Sequence, residues 1–208
     1  MKKLMKMLVA MMMALSLAAC SGGDSTEEQE NTVNNFFKYV SECKFDELEE
    51  IADSSVLTSL GISTMEAQLD MYDDPDTYGE VFYEETQEYK EYVFENLFQD
   101  IKITNIEVDG DKSTATITGK YMNYNKIDLG SVDVEAISEE YLNNNSEELA
   151  EIYKNEGQKA YMIAVYDHVA PLYYDQMKDL IKTAPVEDMN GTVEMEKKDG
   201  KWIITKVV

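Results

Sequence analysis

Five tyrosines fall close together at Tyr153, Tyr161, Tyr166, Tyr173 and Tyr174, in a chain that has 14. A phenol ring offers a broad apolar face for stacking and a hydroxyl that fixes orientation, so such a group suits the wall of a small-molecule pocket. Tyr153, Tyr161, Tyr166 and Tyr173, with the lone tryptophan Trp202, are the candidate pocket residues. Helical spacing offers the same rings a simpler use in core packing. His168 is the only histidine, and Asp167 precedes it. Adjacent residues on a helix point about 100° apart and do not face each other, so the two make a poor catalytic dyad. No catalytic residue is assigned. Asp73, Asp74 and Asp76 crowd into "YDDPDTYGE". A calcium loop needs alternating ligands, a central glycine and a distant glutamate, which this stretch lacks. Helix capping explains the same acids, so no metal site is assigned. There is no phosphate-binding glycine loop and no Gly-x-Ser-x-Gly elbow, and the sequence calls for no cofactor.

The elements that must position these residues show in the hydrophobic period. Val33, Phe36, Phe37 and Val40 recur at three and four, as the buried face of a helix requires. Asp46 with Glu49 three residues later predicts a capping box for a second helix. Residues 54–71 are ambiguous, broken by Gly61. Asp74 as N-cap and Pro75 at the first helical position open the next helix, whose apolar positions include Val81, Phe82, Tyr89, Val93 and Leu97. The period then falls to two. Ile101, Ile103, Ile106 and Val108 lie on one side of Asp109-Gly110, Ala115 and Ile117 on the other, which predicts a hairpin. A helix is expected over Ile137, Tyr141 and Leu142. Asn145 with Glu148 opens a longer one that passes Leu149, Ile152, Tyr153, Ala160, Ile163 and Tyr166, and that Pro171 must kink or end. "TVEMEKKDGKWIITKVV" reads as a closing hairpin about Asp199-Gly200. Helices, hairpin, helices and hairpin make an α+β domain with antiparallel strands.

The N-terminus gives an address. Lys2, Lys3 and Lys6 precede an uncharged run at residues 7–19, "MLVAMMMALSLAA". A membrane-spanning helix needs about 20 apolar residues, so this shorter run has the proportions of a secretory signal peptide. Leu17-Ala18-Ala19-Cys20 resembles the lipobox of bacterial lipoproteins. That resemblance implies a signal peptide at residues 1–19 and a diacylglyceryl group on Cys20. Two acyl chains anchor a protein stably where one does not, so the expected location is the outer face of the cytoplasmic membrane. Residues 20–30 read as the lipidated cysteine and a flexible acidic linker, and residues 31–208 as one domain.

With the leader's three lysines gone, the net charge moves from −24 to −27, and no arginine occurs anywhere. Nucleic-acid binders need basic patches, so that partner class is excluded. Beyond the lipid itself, the expected partner is a small molecule, a peptide or an envelope protein. Cys43 alone accompanies Cys20 in the mature chain, which rules out an internal disulfide framework and a cysteine-rich zinc site.

The aromatic first helix "VNNFFKYVSECKFDEL", the strand pair "IKITNIEVDGDKSTATITG" and the terminal "KKDGKWIITKVV" resemble the nuclear transport factor 2-like fold found in many Gram-positive lipoproteins. The resemblance implies N-terminal helices packed on a curved antiparallel sheet that often encloses a cavity. The helical stretch at about 135–183 is then an insertion before the final hairpin. The expected function is non-catalytic binding by a membrane-anchored extracytoplasmic lipoprotein. The alternatives are a cone-pocket enzyme using tyrosine and carboxylate acid–base chemistry, and a purely structural surface module.

Overall fold

The computed structural model describes residues 26–208. The leader 1–19, Cys20 and residues 21–25 of the linker lie outside the described residues. Helix α1 runs Glu27–Ser41, so residues 27–30 are its first turn and not linker, a correction to the expected boundary. Glu27, Glu28 and Glu30 sit where the helix dipole favours negative charge, which extends the helix toward the N-terminus. Val33, Phe36 and Val40 are fully buried and Phe37 nearly so. Each such side chain contributes roughly 1.5–3 kcal/mol relative to exposure.

Helix α2 (Phe45–Ile51) begins one residue before the expected cap. Lys44 holds the N-cap position without a side-chain hydrogen bond, and Asp46 lies inside the first turn, so the capping box does not form. The Phe45 ring packs edge-on against Phe94 at 5.1 Å, which holds Phe45 in the helix. The ambiguous stretch resolves into α3 (Ser54–Ser59) and α4 (Ile62–Asp70), joined through Gly61 at φ +75°. Asp74 does cap α5 (Pro75–Tyr78), accepting from the backbone N–H groups of Asp76 and Thr77. That helix stops after one turn, and Gly79 at φ +99° separates it from α6 (Glu80–Leu97).

Strands β1 (Phe98–Asp109) and β2 (Lys112–Met122) form the first hairpin. Two single-turn 3-10 helices, Tyr124–Lys126 and Leu129–Ser131, lead to α7 (Val134–Asn144), α8 (Ser146–Glu156) and α9 (Gln158–Lys182). The expected long helix is thus two helices, broken at Gly157 with φ +91°. Pro171 lies inside α9, which continues past it. Strands β3 (Val186–Lys198) and β4 (Lys201–Val207) close the chain.

The four strands form one antiparallel sheet in sequence order, with β2 paired to β3 along its whole length. The fold is α+β. One sheet face is buried through Ala115, Ile117, Val193, Met195, Trp202 and Ile204, and it joins the apolar residues of α1 and α6 in a single core. The space between sheet and first helix is therefore filled by side chains. The long helices α6 and α9 pack against each other, and Ala170, Tyr174, Met177 and Ile181 bring α9 into the same core. Among the described residues, no helix is long and apolar enough to cross a membrane.

Candidate functional site

A cavity of about 570 Å³ opens between α4, α6, α7, α9 and the turn that carries Tyr124. None of its lining residues belongs to a strand. Helical spacing builds two of its walls. On α6, Phe82 and Tyr89 stand two turns apart on one face, with Thr86 between them. On α9, Tyr166, Val169, Tyr173 and Met177 recur at three, four and four. Tyr89, Val169, Tyr174 and Met177 are all at least nine-tenths buried and form the floor, whereas Met71, Tyr72 and Val134 are exposed and form the mouth.

The rings form a continuous series from mouth to floor. Tyr72 meets Tyr78 at 5.6 Å, Tyr78 stacks on Phe82 at 5.3 Å, and Phe82 meets Tyr174 at 5.8 Å. Tyr174 then packs against Tyr89 at 5.3 Å. These centroid separations are those of favourable offset and edge-to-face contacts.

The hydrogen bonds define what the floor offers. Thr86 Oγ1 donates to the Phe82 carbonyl at 2.8 Å. A hydroxyl has one hydrogen, so in the 2.8 Å contact between Thr86 and Tyr174 the phenol donates. The Tyr174 oxygen keeps its acceptor capacity. Tyr89 and Tyr124 share a hydroxyl–hydroxyl bond of 3.2 Å, and whichever donates, the pair keeps one O–H hydrogen unspent. Burial pushes the Tyr174 phenol up to about 12, and it also raises Tyr89, Tyr124 and Tyr173. At neutral pH these phenols are uncharged. Among the described residues, none that lines the cavity carries a carboxylate, an amine or an imidazole.

The surroundings fix the walls. The Asp167 carboxylate on α9 accepts the backbone N–H of Phe82 at 3.3 Å, capping α6 from another helix. A side chain on Gly79 would collide with that carboxylate and with Ile163, so a glycine is needed both for φ +99° and for the close approach. Tyr124 is held through its neighbours, since Glu187 on β3 takes hydrogen bonds from Lys126 (2.6 Å), Tyr121 (2.7 Å) and Asn123 (2.9 Å). These bonds, Lys126 first, hold the Glu187 carboxyl down at about 2.

Of the candidate pocket residues, Tyr166 and Tyr173 line the cavity. Tyr153 is 55 % exposed on α8, beyond the break at Gly157, and pairs edge-on with Tyr161 at 6.0 Å. Neither of these two lines the cavity. Trp202 belongs to the core under the sheet, with the Lys197 ammonium 5.5 Å from its ring centroid and its indole N–H without a partner among the described residues. His168 is exposed and stacks on Tyr141 at 3.8 Å, tying α9 to α7. Sequence reasoning missed Tyr72, Tyr78, Phe82, Tyr89, Tyr124 and Tyr174 as lining residues. The seven-residue spacing of Phe82 and Tyr89, and the tyrosines flanking "DDPDT", were signals that could have marked four of them. Tyr174 stood in the tyrosine run itself; Tyr124 carries no such signal.

Compared with protein-family models, with curated proteins and with solved structures, the chain matches none of them.

Proposed function

We propose that this chain is an extracytoplasmic lipoprotein, held on the membrane through Cys20, whose domain binds an uncharged small molecule with an apolar face and does not transform it. The observation that carries this reading is the tyrosine-walled cavity, whose 570 Å³ falls within the size range of small-molecule sites. Its floor supplies hydrogen-bond donors and acceptors without charge, which orients a neutral ligand and penalises an ionised one by desolvation. Acid–base catalysis would need a carboxylate within reach of a tyrosine, and the lining residues supply none. The lipobox at residues 17–20 supports the anchor. The element order supports a nuclear transport factor 2-like domain, in a variant where side chains fill the space under the sheet and the pocket lies between the helices that precede the sheet and the inserted ones.

Native mass spectrometry of the exported protein tests the reading. A neutral molecule retained by the wild type and lost when Ser138→Trp places an indole in the cavity is the expected result. Equal retention by both forms would place the ligand elsewhere.

A further inference from the structure

A second recess of about 450 Å³ lies beside the tyrosine cavity, and the two share Gln68 and Tyr124 as a common wall. Their linings differ in balance. The first is mainly aromatic. The second is mixed: Leu60, Met65, Leu97, Phe98 and Met122 give it an apolar base, and Ser59, Thr64, Asn123 and Asn125 add polar groups, with Gly61 leaving the backbone open at φ +75°. The side chains of Thr64 and Asn125 have no hydrogen-bond partner among the described residues, and both residues are exposed. The nearby carboxylate of Glu187 is already taken by Lys126, Tyr121 and Asn123, so it is not left to pair with a cationic ligand. Among the described residues, none that lines either recess is charged, and the chain as a whole is strongly acidic, which disfavours anions.

We infer that the two recesses form one bipartite site for an elongated neutral ligand, an aromatic or similarly flat apolar group joined to a hydroxyl-rich group of sugar type. The apolar end lies among the tyrosines, where burial and ring contacts favour it. The hydroxylated end lies against Thr64, Asn123 and Asn125, whose amides and hydroxyls match sugar hydroxyls in kind. Tyr124 stands at the junction, and the Glu187 cluster fixes the turn that carries it.

The inference rests on the binding reading above, and phenyl β-D-glucoside separates the two. Calorimetry on the full chain, as the cell processes and exports it, compares this probe with phenol and with methyl β-D-glucoside. Joining two ligands that occupy adjacent subsites makes the second contact intramolecular, so the conjugate binds at least about tenfold tighter than phenol. The double variant Thr64→Val with Asn125→Ala, at two exposed positions, brings it back to the level of phenol. If phenol binds and the conjugate gains nothing, the bipartite site is overturned while the cavity reading stands. If neither phenol nor the conjugate binds, both fall together.

Discussion

At the scale of single residues, the floor of the cavity is a set of phenols kept neutral by burial and by one another. Tyr174 donates to Thr86, and Thr86 spends its own hydrogen on the α6 backbone. Replacing Tyr174 by Phe removes one hydrogen bond but leaves Thr86 satisfied, so the cost at neutral pH is about 1 kcal/mol. The pH dependence has a definite sign. The folded phenol titrates near 12 against 10.0 for an unperturbed one, so the folded state binds the proton more tightly. The stability linked to it is complete below about pH 10 and is lost as pH rises from about 10 to 12. Urea titrations across that interval should show a steeper loss for wild type than for Tyr174→Phe. Parallel curves would mean that Tyr174 ionises as freely in the folded protein as in the unfolded chain.

At the scale of elements, the sequence pattern located most helices and strands but misjudged how some of them begin and end. The first-helix face Val33, Phe36, Phe37, Val40 and the hairpins about Gly110 and Gly200 were legible because burial period and turn chemistry agree there. The Asp46 capping box was misread because a tertiary ring contact, Phe45 on Phe94, sets where α2 starts. The breaks at Gly79 and Gly157 were missed for a related reason. A glycine within a periodic run is locally tolerable, and only the packing decides whether φ turns positive. At Gly79 that packing is Asp167 of α9 capping the N-terminus of α6. Asp167→Ala should cost about 1 kcal/mol, the usual worth of a cap. Gly79→Ala should cost more than about 1 kcal/mol, since it adds backbone strain and a collision to the loss of that contact. Denaturant midpoints of the two variants check the order. A Gly79→Ala protein as stable as wild type would show that α6 and α9 do not meet in this way.

At the scale of the whole molecule, the site lies where the sequence could least reveal it. Tyr166 and Tyr173 were read as pocket candidates from their crowding, but their partners Tyr72, Phe82, Tyr89 and Tyr124 come from segments far apart in sequence. Only the packing of α9 along α6 brings them together. The proposed anchor acts at the same scale, since it sets which molecules the open mouth meets. Cys20→Ser should move the protein from the membrane fraction to the medium or periplasm, because the protein would lose both acyl chains. Unchanged membrane retention would contradict the anchor without touching the cavity. The claim on which the rest depends is that the tyrosine-walled space is a working ligand site. Calorimetric titration of the full chain with indole, an uncharged aromatic that fits the cavity, tests it most directly. The account predicts saturable one-to-one binding with Kd below about 1 mM, abolished by Ser138→Trp in a protein that still unfolds cooperatively. Heats that never saturate, or saturable binding unchanged in Ser138→Trp, would contradict it.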